Sequence, residues 1–208
     1  YRDSWGYNPE IQFLANRDLI SGEALDIELC HRDWTTLSPD QIENMLYLKT
    51  GALLRFCAEA GALLALDDAK FAADPRVTAL GDFAAAAGIA FQLRDDWLGL
   101  FGDAQALGKP VGSDLAEGKP TLLLLHAWAS LEPAGRRELR NSVGRPDFVP
   151  QDLARVRAIV RDSGAERLVL ARAETLANQA RTILMTYPDN SFRRLLLAWT
   201  DFLVGRQA

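Results

Sequence analysis

The stretch Phe91–Thr121, FQLRDDWLGLFGDAQALGKPVGSDLAEGKPT, decides the fold. It opens as the end of an apolar helix, Ala84 to Leu100, and runs into a segment holding Gly102, Gly108, Gly112 and Gly118. Asp95 and Asp96 stand side by side on the helical part, and Lys109-Pro110 and Lys119-Pro120 follow in the glycine-rich part. A loop this long inside a helical pattern is uncommon unless it is functional or disordered. Carboxylates can hold a hard cation and lysines an anion, so this order of groups points to a metal-chelated phosphate or diphosphate. On a helix Gln92 and Asp95 share a face. Asp96 lies about 100° further round, so Asp95 points with Gln92 and Asp96 looks partly sideways.

Upstream, Asp74 is a cap and Pro75 a first helical residue for a helix over 77–100. Ala84 to Gly88 is a run of small residues, read as packing that lets neighbouring helices approach. Ser38 caps a further helix that starts at Pro39 and is expected to run unbroken to Leu66. Its many apolar residues, Ile42, Met45, Leu46, Leu53, Leu54 and Leu63 among them, place it at a bundle centre or a subunit contact. Lys49-Thr50 interrupts its middle. On pattern alone, a lysine snorkelling to the surface explains this as well as a site does. Pro9 to Arg32 has helical spacing, with Gly22 as a soft point.

Downstream, helices are predicted over Thr121–Leu131, Pro133–Ser142, Asp152–Asp162, Ala165–Met185 and Ser191–Val204. They are broken at Gly144–Pro150, Ser163-Gly164 and Tyr187-Pro188. Alternation of period two is absent, so the fold is all-α.

With 208 residues, 49% of them hydrophobic, the chain can bury one sizeable core, and residues 1–208 read as a single all-α domain. A net charge of −5 argues against a nucleic-acid surface. Cys30 and Cys57 lack metal-ligand spacing and read as reduced thiols of a cytoplasmic protein. The isolated His31 and His126 argue against a zinc site. The apolar runs are too short for stable membrane insertion.

In order and spacing, Phe91-Gln92 ahead of Asp95-Asp96, then Phe101-Gly102-Asp103, Gly108-Lys109-Pro110, Gly112-Ser113-Asp114-Leu115 and Gly118-Lys119-Pro120-Thr121, resemble the second aspartate-rich region of the trans-isoprenyl diphosphate synthases, the polyprenyl synthetase family. Leu48-Lys49-Thr50-Gly51-Ala52-Leu53 resembles that family's Lys-Thr segment. Ser21-Gly22-Glu23-Ala24-Leu25-Asp26 resembles a segment that usually reads Gly-Gln with an Asp three residues on; Glu23 replaces the glutamine, and no site role is carried onto it.

The resemblance implies an isoprenoid-synthase-type helical bundle around a central cavity. It implies Mg2+-dependent condensation of isopentenyl diphosphate with an allylic diphosphate, releasing diphosphate. By the same resemblance Asp95 and Asp96 are metal ligands, Asp95 the main one. Lys49, Lys109 and Lys119 surround the diphosphate, and Thr50 and Gln92 lie near the diphosphate and the reacting carbocation. A cytoplasmic homodimer is implied as well. The glycine-rich loop argues against a class I terpene cyclase, which shares the ionisation chemistry.

Two departures qualify the match. Asp95-Asp96-Trp97-Leu98-Gly99 has glycine at the third acidic position of a DDxxD motif. No first aspartate-rich motif precedes it, since Asp67-Asp68 is followed by Ala69, Lys70 and Phe71. The resemblance covers roughly residues 18 to 208, and the expectation is the C-terminal two-thirds of a longer synthase, its N-terminal helices lacking. The alternative expectation is a catalytically weak or inactive partner subunit of a prenyl synthase heteromer.

Overall fold

A computed structural model of the chain describes residues 9–66, 74–103, 110–145 and 147–206. Among the described residues ten α-helices follow one another: α1 (Pro9–Cys30), α2 (Pro39–Leu46), α3 (Ala52–Leu66), α4 (Pro75–Phe101), α5 (Ser113–Ala116), α6 (Leu122–Ser130), α7 (Pro133–Arg140), α8 (Pro150–Asp162), α9 (Ala165–Leu184) and α10 (Ser191–Gly205). Trp34–Thr36 makes a short 3-10 turn, and no strand occurs among the described residues. The all-α reading holds.

Local chemistry sets the helix starts. The Ser38 side chain accepts from the Gln41 N–H, and the Gln41 side chain accepts from the Ser38 N–H, ahead of Pro39. Asp74 accepts from the Arg76 N–H before Pro75, and Thr121 from the Leu124 N–H. Asn190 does the same for α10. Each such cap satisfies a backbone donor that the helix leaves open, and contributes about 1 kcal/mol.

Helix α4 is the axis of the fold and packs most extensively against α9 and α3. Its Ala90 and Leu93 enter the main core with Leu29, Ile42, Met45, Leu123, Leu124 and Val156. Nearer its N-terminus, Phe83, Ala84 and Ala87 enter a second core with Ala180, Leu184 and Leu203. Full burial of one such leucine is worth about 1.5–3 kcal/mol, so the two cores hold α4 along most of its length. Its C-terminal end is fixed too. Arg157 Nε donates to the Leu100 carbonyl at 2.6 Å, and Trp97 Nε1 donates to Glu166 Oε1 at 2.9 Å.

The helix expected from Ser38 to Leu66 is not continuous. Between α2 and α3 the backbone opens into one π-helical turn, Tyr47–Gly51, which contains Lys49-Thr50. The Ala52 N–H reaches back to the Tyr47 carbonyl, five residues away. Such turns are rare and often mark functional sites.

Glycines pin this turn from both sides. A Cβ on Gly22 of α1 would stand 2.3 Å from the Lys49 nitrogen, and one on Gly88 of α4 would stand 3.3 Å from the Gly51 Cα. Gly22, read as a soft point in the sequence, is therefore the crossing point of two helices. The small run ending at Gly88 does serve packing, as expected.

Candidate functional site

Three elements meet around the carboxylate of Asp26. It lies on α1, and its Oδ2 accepts from Lys49 Nζ of the π turn at 2.6 Å. Its Oδ1 stands 3.4 Å from Lys119 Nζ, in the segment between α5 and α6. That oxygen is buried and makes no hydrogen bond among the described residues. Glu23, one turn earlier on α1, places Oε2 at 3.4 Å from the same Lys49 ammonium. One carboxylate thus gathers two lysines whose sequence positions are far apart.

The lysines are held charged. Burial pulls the Lys49 ammonium down, but Asp26, with help from Glu23, outweighs it and the net shift is upward. Burial opposes the charge on Lys119 as well, and Asp96, Asp26 and Asp114 together raise it. Asp26 holds the two ammonium groups side by side, so that a diphosphate could take both over from the carboxylate.

Asp96 is the buried member of the pair on α4, 9% exposed. Burial pushes its carboxyl up to about 7; Lys119 counters this, and Asp114, Asp95 and Asp26 reinforce it. Asp114 reaches the site from α5. The Gly112 N–H donates to the Gly99 carbonyl at 2.9 Å, which docks the start of α5 on α4. Gly112 and Gly118 both take positive φ, +89° and +76°, which favours glycine at the two ends of this short helix. A Cβ on Gly99 would stand 3.1 Å from Asp114 Oδ2. The acid missing at the third motif position is therefore replaced in space by a carboxylate from the next element. A cavity of about 10 Å³, lined by Asp96, Gly99, Asp114 and Thr121 among others, lies between them.

Asp95 turns away from Asp26 toward the end of α10. Its Oδ1 accepts from Arg206 NH2 at 2.9 Å. Gln92 and Thr50 are half-buried on α4 and the π turn. Lys109 lies outside the described residues. The sequence-predicted residues thus fall into two groups: Lys49, Lys119 and Asp96 around Asp26, and Asp95 beside Arg206.

Sequence alone assigns no role to Asp26, Asp114 or Arg206. The first two stand inside segments that carry the family resemblance, Ser21–Asp26 and Gly112–Leu115. Those segments were the available signal.

The donor set fits magnesium. That ion prefers oxygen ligands and is typically held by one or two carboxylates together with substrate phosphates. Among the described residues no group of three or more His, Cys, Asp or Glu side chains forms a ready metal cage. The Asp96 carboxyl is raised first by burial and then by its carboxylate neighbours, and a cation placed there would relieve that repulsion.

Comparison with known proteins identifies the family. The family described as polyprenyl synthetase matches residues 11–161. The geranylfarnesyl diphosphate synthase of Aeropyrum pernix is 37% identical over 97% of this chain and 63% of its own. A short chain isoprenyl diphosphate synthase of Methanothermobacter thermautotrophicus is 30% identical over 91% of this chain and 55% of its own. Among solved structures, a polyprenyl synthase from Caulobacter crescentus complexed with calcium and isoprenyl diphosphate superposes with a TM-score of 0.83 at 34% identity. It covers 96% of this chain and 58% of that one. The chain thus spans 55–63% of the length of these two curated relatives. The chain belongs to the polyprenyl synthetase family.

Proposed function

We propose that the protein is a prenyltransferase that condenses isopentenyl diphosphate with an allylic diphosphate and releases diphosphate. The observation that carries this reading is the gathering of Lys49 and Lys119 on Asp26, next to the buried Asp96. Lys49, Lys119 and, from the sequence, Lys109 bind and orient the diphosphate of the allylic substrate. As the C–O bond breaks, negative charge grows on the departing diphosphate, and preorganised ammonium groups stabilise it without reorganisation. Thr50 and Gln92 flank the reacting centre.

Asp95 and Asp96 would hold magnesium together with diphosphate oxygens. When bound, that ion would supply further charge neutralisation on the leaving group. The protein's own part is to keep the lysines protonated, as Asp26 does, and the site dry, as the buried leucines beside Asp96 do.

A homodimer in the cytoplasm is part of the proposal. No described helix is long and apolar enough to cross a membrane. Phe13, Ile20 and Ile27 of α1 are 68%, 68% and 64% exposed. Their seven-residue spacing keeps them on one helix face, the pattern that seats a second helix. Such a face suits a second copy of the chain better than the α2–α3 segment does.

The test is incorporation of labelled isopentenyl diphosphate into a longer allylic product by the full-length protein in magnesium. Turnover with any short allylic diphosphate supports the reading, and none across geranyl, farnesyl and geranylgeranyl diphosphates overturns it. The alternative is a catalytically weak or inactive partner subunit of a prenyl synthase heteromer. That reading expects no turnover alone and a stable complex with an active synthase.

A further inference from the structure

The C-terminal end of α10 is fastened to α4 at the carboxylate assigned to cation binding. Arg94 donates from Nε and NH2 to the Arg206 carbonyl, at 3.0 and 2.9 Å. The Arg206 guanidinium lies 4.2 Å above the Phe91 ring centroid and donates from NH2 to Asp95 Oδ1 at 2.9 Å. Its side chain is 14% exposed, and Asp95 is 34% exposed. The Arg206 Nε is buried and has no hydrogen-bond partner among the described residues.

This is an incomplete arrangement for arginine. A guanidinium matches a carboxylate through two parallel N–H bonds when both are held in register. The Nε hydrogen bond is missing here. A buried donor left unsatisfied has a cost, so Arg206 is not at its best place. The neighbouring guanidinium of Arg94 adds like charge: burial and then Arg206 lower its affinity for the proton. Arg94 itself sits over the Trp97 ring at 4.2 Å. A second cation at Asp95 would meet Arg206 at the same oxygen.

From this juxtaposition we infer that Arg206 is the resident counter-cation of Asp95, and that a divalent cation takes this carboxylate by displacing it. The inference rests on the proposed cation role of Asp95. Arg206 is then a positioning residue. It neutralises the carboxylate while the site is empty, and it couples the last turn of α10 to cation binding. The Arg94 bonds go to the backbone carbonyl of Arg206 and do not need its side chain. The helix end then keeps its Arg94 anchor but loses the Arg206–Asp95 one, and its last turn loosens as the guanidinium swings.

The experiment is Mn2+ titration of the whole chain, read by electron paramagnetic resonance, on wild type, R206Q, R206K, D95N and D95N/R206Q, with hydrogen exchange of the last turn of α10 as second readout. R206Q is expected to bind Mn2+ about twofold to fivefold more tightly than wild type, the scale of one removed ion-pair competitor. R206K keeps the wild-type affinity. D95N binds more weakly, and R206Q has no further effect in its presence. Mn2+ speeds exchange in the last turn of α10 in wild type and not in D95N. If D95N weakens binding while R206Q does not tighten it, the displacement is overturned and the cation role of Asp95 stands. A gain from R206Q that persists in D95N also overturns it, since the effect is then a general field. If D95N binds as wild type does, the cation role of Asp95 fails and the inference falls with it.

Discussion

A Cβ on Gly22 would stand 2.3 Å from the backbone nitrogen of Lys49 and 2.6 Å from the Leu48 carbonyl carbon. No side chain can turn aside there, because the obstacle is backbone. Gly22→Ala must push α1 away from the π turn, and overpacking of this kind costs about 1–3 kcal/mol. The same shift parts Asp26 from Lys49. Chemical denaturation should show the loss of stability, and a stability equal to wild type would mean that the two helices can separate freely.

Asp26 is the hinge of the lysine pair. Asp26→Asn leaves two ammonium groups facing each other without their shared anion, with a loss of about 1.5–3 kcal/mol, the range for hydrogen bonds to charged groups. Inorganic diphosphate can replace the missing charge. It should therefore raise the melting temperature of Asp26→Asn more than that of wild type. An equal or smaller rise in the variant would show that Asp26 does not organise an anion site.

Glu59 gives a pH signature away from the site. It pairs with Arg55 at 2.8 Å. Burial raises its carboxyl above the ordinary value, Arg55 opposes this, and Asp82 adds to it. The folded chain then holds this proton more tightly than the unfolded chain. Glu59 thus contributes stability at low pH that is lost as pH rises from the ordinary glutamate value, 4.5, through the raised one. Glu59→Gln removes that slope. The difference in unfolding free energy between variant and wild type, followed from pH 4 upward, should move in the variant's favour across this window; a constant difference would refute it.

The fold was largely legible in the sequence because helix periodicity, Ser38-Pro39, Asp74-Pro75 and the glycine breaks are local signals. The π turn was not. It arises where Gly22 and Gly88 let two other helices press on residues 47–51, a contact between distant parts of the chain. Site residues divide the same way. Lys49, Lys119, Asp95 and Asp96 stand in recognisable local strings. The pairing of Asp26 with Lys49 joins α1 to a turn 23 positions later, and Arg206 meets Asp95 across 111 positions. Asp114 covers Gly99 only because the Gly112 N–H docks on the Gly99 carbonyl. Periodicity carries no information on which polar faces will meet.

The two acids near the end of α4 separate a site role from a surface one. Asp95 sits one turn from the half-buried Gln92 and meets Arg206; Asp103 is exposed just beyond Gly102, where α4 has ended. In the proposed reaction Asp95 supports charge developing on the leaving diphosphate. Removal of one such electrostatic contact typically lowers kcat by about 10²–10³-fold. Asp95→Ala of the full-length protein should show a loss of that order, and Asp103→Ala a loss several-fold at most. Asp103→Ala should unfold close to the wild-type temperature, and Asp95→Ala at a lower one, because it leaves the mostly buried Arg206 guanidinium without this carboxylate, so activity is compared below both transitions. Steady-state prenyl transfer at saturating substrate separates the cases. Equal losses in the two variants would show that the end of α4 acts through its overall charge, not through Asp95.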